Sequence, residues 1–345
     1  MEDYVLRRDN LPAFLQFLMR QGPVSAPVAV GEKSFAFQEV TSPEEVALNA
    51  LPTILPPKKY FLPQYETLGE FDSREGQQIQ GVAELEERIL FAVRTCDLAG
   101  IGCLNAALSR RPRDLNFLLR KERITLIGLE CNSYCDEYAS CALMGNHLAD
   151  GGCDLMFTDL GELFYAMAYT QRGHELVSSA GLFSPADDPV RKERDALSKN
   201  KEAVFHPEVD VNRDDIPALF AEGFDNPVWQ EIGRRCLSCG NCTNVCPTCY
   251  CFDVADIPNL DLVTGRRVRV WDSCQNEPFA KVAGGESFRA LRQDRKRHRF
   301  NRKFSYPVAK FGRFFCTGCG RCSRTCMAKI DLKETISCLA KGGGE

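Results

Sequence analysis

An α/β half followed by a cysteine-rich half of loops and short helices is the fold class this sequence predicts. Three observations predict it. Apolar runs of strand length alternate with helical patterns through residues 1–185. The segment 186–228 is charged and carries several prolines. From Trp229 onward the cysteine density rises sharply. The chain therefore divides into an α/β domain at 1–185, a linker with a helix at 186–228 and a second domain at 229–340, and 345 residues suffice for both.

The elements follow in order. LPAFLQFLMRQ reads as a short amphipathic helix; no A-x-A-like cleavage site follows it, as a secretory signal would need. APVAV (26–30) and FAFQEV (35–40) form a hairpin around GEKS. TSPEEVALN starts a helix, with Ser42 as cap, Pro43 in the first turn and Glu45 three residues after the cap. PPKKYFLPQYETL has too many prolines for regular structure until about Tyr65. ILFAV (89–93) and ITLIGL (124–129) are buried strands. DLAGIGCLNAALSR between them is a helix capped by Asp97, which makes the two strands parallel neighbours. DLMFTDLGELFYAMAYT is a hairpin turning near Asp159 to Gly161, and the tail KGGGE is expected to be disordered.

Composition excludes some classes. Hydrophobic content of 44% with 26% charged residues is that of a soluble globular protein. The net charge of −4 argues against general nucleic-acid binding, and no apolar run is long enough to cross a bilayer. Eighteen cysteines in a chain of this size are not needed as disulfide staples. Clustered thiols in a reducing, cytoplasmic setting more often hold metal.

The clustering is specific. CLSCGNCTNVCP sets Cys236, Cys239, Cys242 and Cys246 at intervals of two, two and three intervening residues, with Pro247 next. CTGCGRCSRTC repeats those intervals with Cys316, Cys319, Cys322 and Cys326, although Met327 stands where the proline would be. A repeated C-x2-C-x2-C-x3-C is the bacterial ferredoxin pattern for two [4Fe–4S] clusters. Three closely spaced thiolates curl around one cluster and the fourth reaches the other. The sets are then Cys236, Cys239, Cys242 with Cys326, and Cys316, Cys319, Cys322 with Cys246. Gly240 and Gly320 relax the backbone at equivalent places and let amide N–H groups approach sulfur. A zinc site uses two separated C-x2-C knuckles and has no use for the third cysteine. A thioredoxin-like C-x-x-C would not be repeated. The second half is thus expected to be a bacterial-ferredoxin-like 2[4Fe–4S] domain of loops and short α-helices.

Other cysteines are less determined. Cys96 follows the first buried strand and Cys131 the second, so both lie at the carboxyl edge of the sheet, where open α/β sheets build their sites. Cys135 and Cys141 follow in the next loop, but C-x3-C-x5-C is no standard signature. These four thiols either gather around a third cluster or remain buried free cysteines. Cys249, Cys251 and Cys274 are either packing residues around a cluster or additional ligands. Cys103, Cys153 and Cys338 read as packing. RALRQDRKRHRFNRK (289–303) reads first as a solvated helix face, next as a docking surface for an acidic partner and last as a nucleic-acid site. The four histidines are scattered, and Asp136 and Glu137 read as solvated. No G-x-G-x-x-G follows a strand and no P-loop occurs, so no nucleotide or flavin site is expected and no catalytic residue is assigned.

CLSCGNCTNVCPTCYCFDV, RVWDSCQNEPFAKVAGGESFR and CTGCGRCSRTC, with PPKKYFLPQYETL, RTCD and SCALMG in the first half, resemble one family across most of the chain. It holds the beta subunits of soluble sulfhydrogenases, which are NADP-linked [NiFe] hydrogenases, and the A subunits of anaerobic sulfite reductases. The resemblance implies an electron-transfer subunit between a flavin subunit that meets NAD(P)H and a catalytic subunit that reduces protons or sulfur species. Heterodisulfide-reductase-like partners are implied as well. It also favours the third cluster and makes 1–185 a partner-docking domain. A redox-sensing regulator and a direct reductase of a small sulfur species are the alternative readings.

Overall fold

The computed structural model describes residues 2–50, 52–75, 79–148, 151–206 and 209–342. Most of the KGGGE tail, expected to be disordered, lies outside the described residues. Strand β1 (Glu2–Arg7) leads into helix α1 (Leu11–Gln21), whose Leu11, Phe14, Leu15 and Leu18 recur at helical spacing and are buried. Strands β2 (Val24–Gly31) and β3 (Ser34–Glu39) form the expected hairpin.

The helix expected from Ser42 is a single 3-10 turn, Pro43–Glu45. Its start is as read: the Glu45 carboxylate accepts from the Ser42 backbone N–H at 2.9 Å. It ends at once because Val46 is extended and the Ala47 N–H bonds the Pro27 carbonyl at 2.8 Å. A tertiary backbone bond replaces the next helical one.

After the proline-rich stretch come β4 (Tyr65–Asp72), β5 (Ile79–Gly81), β6 (Arg88–Val93), α2 (Thr95–Leu108), α3 (Leu115–Arg123) and β7 (Ile124–Leu129). Strands β6 and β7 pair in parallel, as the strand–helix–strand pattern requires. Asp97 is not a cap. It lies inside the first turn of α2, buried, with Arg94 at the cap position, and its carboxylate accepts from Arg321 at 2.6 and 2.8 Å. Strands β8 (Leu155–Asp159) and β9 (Leu163–Ala168) make the predicted hairpin.

The rest of the chain holds α4 (Gln171–Ala180), β10 (Ser184–Pro185), α5 (Asp188–Val204), α6 (Ile216–Glu222), α7 (Val228–Arg235) and α8 (Asn241–Asn244). Then come β11 (Phe252–Pro258), β12 (Thr264–Trp271), α9 (Arg292–Phe304), α10 (Tyr306–Phe311), α11 (Arg321–Arg324) and α12 (Leu332–Ala340).

Eight strands form one sheet in the order β10-β1-β9-β8-β7-β6-β2-β3. Its centre, β2-β6-β7-β8, is parallel and covered on both faces. On one face α1 supplies Phe14 and Leu18; on the other α2 and α3 supply Leu98, Leu104 and Phe117. A second, antiparallel sheet has the order β11-β12-β4-β5, so strands from both halves of the chain build it. A third core gathers Ile216 and Phe220 of α6 with Trp229, Phe300, Phe304, Ile336 and Leu339. This is a mixed α/β half joined to a half of short helices and loops, the fold class the sequence predicts. Among the described residues no helix is long and apolar enough to cross a membrane.

Candidate cluster-binding site

The two cysteine repeats fold alike. Each C-x2-C loop ends at a glycine with positive φ, Gly240 at 76° and Gly320 at 69°, and then enters a four-residue helix, α8 or α11. A left-handed residue there turns the backbone amides back towards the loop. The Ser238 N–H reaches Cys236 Sγ at 3.3 Å, and the Ile330 N–H reaches Cys326 Sγ at 3.3 Å. Helices α8 and α11 meet, with Asn241 Nδ2 donating to the Thr325 carbonyl at 2.9 Å.

That meeting brings the sequence-distant thiols together. Cys236, Cys239, Cys242 and Cys326 line one small space, with Gln275 and Lys296 in its wall. Lys296 Nζ stands 3.7 Å from Cys242 Sγ. Cys316, Cys319, Cys322 and Cys246 form a second neighbourhood. Burial pushes the Cys316 and Cys319 thiols above their ordinary range, and the nearby sulfurs of Cys322 and Cys246 push further. Among the described residues no group of His, Cys, Asp or Glu is arranged to hold a single metal ion.

The N-terminal thiols also gather. Burial raises Cys135 and Cys141 to about 12 each, with Cys131 close enough to add to both. Cys96, raised by its burial and then by Asp97, lies near Cys319 and Cys131. The loop that carries these cysteines docks on the second repeat: the Ser140 N–H donates to the Gly318 carbonyl at 2.8 Å. Asp136, expected to be solvated, is drawn into the same contact by an ion pair with Arg324. Cys103 and Cys153 are buried, as packing residues would be, and Cys338 is half-buried. His147 packs on the Phe205 ring.

Gly318 fixes this docking. Its φ is +71°, and a Cβ there would lie 2.4 Å from the carbonyl carbon of Ser140. Gly318→Ala therefore combines left-handed strain of about 1–3 kcal/mol with a backbone collision. We expect a loss of at least about 2 kcal/mol on the scale of such strain, read from the denaturant midpoint at unchanged slope. A midpoint within experimental error of the parent would show that the loop does not sit against Gly318.

Sequence reasoning missed the role of the basic stretch. Helix α9 does not present a solvated cationic face. Arg295, Lys296, Arg299 and Lys303 recur at helical spacing and are buried towards the thiols. Arg299 donates to the Cys242 carbonyl at 3.1 Å and Lys303 to Thr248 Oγ1 at 2.7 Å. Lys58, from the proline-rich stretch, donates to the Cys249 carbonyl at 2.9 Å and lies 4.1 Å above the Trp271 ring. None of Lys58, Lys296, Arg299 and Lys303 has a carboxylate partner among the described residues; the groups of opposite sign that face Lys58, Arg299 and Lys303 are cysteine sulfurs in their thiolate form. Burial pushes Lys303 down, but Cys246 and Cys249 outweigh it and hold the ammonium above its ordinary range. The i, i+3/i+4 spacing was visible in the sequence. What it could not show was a charged stripe turned inward.

Buried cations without carboxylates, thiols in sets of four and amides aimed at sulfur are what an anionic, thiolate-held cluster requires. The residues present fit that group.

Comparison with known proteins agrees. Residues 235–330 match the 4Fe-4S dicluster domain, a span that contains both repeats and implies two [4Fe–4S] clusters. A solved structure, a xenon derivative of the F420-reducing [NiFe] hydrogenase complex from Methanosarcina barkeri, shares 11% identity over 59% of this chain and 90% of that one. Its TM-score of 0.34 carries no argument. Sulfhydrogenase 2 subunit beta from Pyrococcus furiosus is 31% identical over 339 residues, 98% of each chain. With the dicluster span inside a match of that extent, the chain belongs to the sulfhydrogenase beta-subunit family.

Proposed function

We propose that this chain is the electron relay of a multi-subunit oxidoreductase in the cytoplasm. It passes electrons between a flavin subunit that reacts with NAD(P)H and a catalytic subunit of hydrogenase, sulfite reductase or heterodisulfide-reductase type. Nucleic acid and membrane are not partners in this reading. The observation that carries it is the pairing of the two repeats through α8 and α11, backed by buried cations whose opposing groups are cysteine sulfurs, most of them from the two repeats.

In the proposed assignment Cys236, Cys239, Cys242 and Cys326 hold one [4Fe–4S] cluster, and Cys316, Cys319, Cys322 and Cys246 hold the other. Cys96, Cys131, Cys135 and Cys141 hold a third. Such clusters, when bound, accept and release single electrons. The chain supplies the rest. Amide N–H groups and the Lys296 ammonium stabilise negative charge on sulfur. The packed core around α9 excludes water and strengthens those interactions. Cys239 is exposed, beside Leu237 and Met327, which are 62% and 80% exposed. That edge is where a partner's redox group meets the first set. Residues 1–185 form the partner-docking domain, 186–228 the linker and 229–340 the dicluster domain.

The chain purified without oxygen should contain at least about eight iron and eight sulfide, and at least about twelve of each with the third cluster, from cubane stoichiometry. Dithionite should then develop the EPR signal of reduced clusters. Zinc in place of iron, or an EPR-silent chain after reconstitution, would overturn the assignment. The regulator reading drew on a solvated basic stretch, and the buried cations of α9 give it no support.

A further inference from the structure

Three thiols remain outside every set assigned so far: Cys249, Cys251 and Cys274. The fold brings them to one place. Cys251 immediately precedes β11 and Cys274 closely follows β12, and the pairing of Phe252 with Trp271 closes the two ends of that hairpin on each other. The Asp272 N–H bonds the Cys251 carbonyl at 3.0 Å. The side chains of Cys251 and Cys274 are in hydrogen-bond contact, and Gln275 Nε2 donates to Cys274 Sγ at 3.4 Å. Together with Cys249 they line a small space whose opposite wall is Arg299, Arg302 and Lys303.

We propose that Cys249, Cys251 and Cys274 hold a further iron–sulfur cluster, facing that cationic wall. Three alternatives fit less well. Neutral packing thiols would leave Arg302, which faces Cys251, Cys249 and Cys274 and has no carboxylate partner among the described residues, without a counter-charge. A Cys251–Cys274 disulfide is neutral too and leaves the same deficit. A single ion is not served, because these thiols are not among any group arranged to hold one in the described residues. A cluster with thiolate ligands carries net negative charge and answers the cations. The neighbouring side chains have the corresponding chemistry: Lys58 beside the Cys249 carbonyl, Lys303 on Thr248 and Gln275 on Cys274. This extends the relay reading and fails separately from it.

The test compares the full chain with Cys251→Ser/Cys274→Ser, both purified and reconstituted without oxygen. The double variant should lose roughly three to four iron and a matching amount of sulfide, the content of one cluster. The EPR signals of the repeat clusters should persist. Native mass spectrometry of Cys251→Ser and Cys274→Ser singly gives the same readout if the double variant does not fold; either one should be lighter by one cluster. Wild-type iron content in the double variant, or wild-type cluster mass in both single variants, would overturn the proposal, as would zinc recovered from this site. Absence of iron from the parent chain would instead remove the relay reading itself.

Discussion

Stripping iron and sulfide from this chain without oxygen is expected to unfold the segment 216–340 while the eight-stranded sheet keeps its structure. The reason is charge. Lys58, Lys296, Arg299 and Lys303 are between 3% and 5% exposed and have no carboxylate partner among the described residues. Cluster-free thiols are incomplete replacements: burial raises Cys242, Cys316 and Cys319 and so keeps them protonated at neutral pH, while Cys246, lowered by its hydrogen bond with Cys249, answers Lys303 but leaves the other cations short of charge. Each buried cation left unpaired costs several kcal/mol, and a whole domain has only about 5–15 kcal/mol in reserve. Three of these cations sit on α9, whose Phe300 and Phe304 are central to the core shared with α6, α7 and α12. Cluster binding is then folding free energy for that core. The eight-stranded sheet has its own two cores and contains none of these cations. Hydrogen exchange followed by mass spectrometry should show α6, α7, α9 and α12 losing protection on chelation, with β6, β7 and β8 unchanged. Equal protection of α9 before and after iron removal would show that the clusters are not its counter-charge.

What was legible in the sequence was what depends on local pattern. Strands β6 and β7 stand out because both faces are buried and their apolar runs are unbroken. The repeats stand out because a cubane demands closely spaced thiols whatever surrounds them. The failures share one cause: a distant partner decided the outcome. Ser42 begins a helix correctly, but Pro27 claims the backbone bond that would continue it. Asp97 has a cap's composition and instead meets Arg321, more than two hundred residues away in the chain. The strongly charged α9 has the composition of a surface helix, and its orientation is set by the thiols. The pairing of β4 with β12 joins Tyr65 to Val270, a register no local periodicity announces.

That last pairing carries the other large effect. Glu66 on β4 is fully buried and accepts from Arg120 of α3 and Arg269 of β12, both at 2.6 Å. Arg269 is shared with Asp114, the residue that caps α3 through the Phe117 N–H at 3.0 Å. One carboxylate thus ties together a strand and a helix of the first half and a strand of the second. Glu66→Gln keeps the shape and removes the charge, which leaves the buried Arg120 guanidinium with no carboxylate opposite it and only neutral acceptors, the Glu84 carbonyl and the new amide oxygen. The expected cost is about 3–5 kcal/mol, the range for breaking a buried ion pair from one side. Burying both ions together is far less favourable than their contact distance suggests, so removing both should cost much less than the sum. Glu66→Gln/Arg120→Met should therefore recover a good part of the loss, whereas Arg120→Met with Glu66 intact leaves the carboxylate paired with Arg269 and costs less than Glu66→Gln. Urea unfolding of the three variants against the parent reads the cycle. Additive losses, with no coupling between positions 66 and 120, would show that the network does not hold the two halves in register. The join would then rest on the β4–β12 backbone ladder alone.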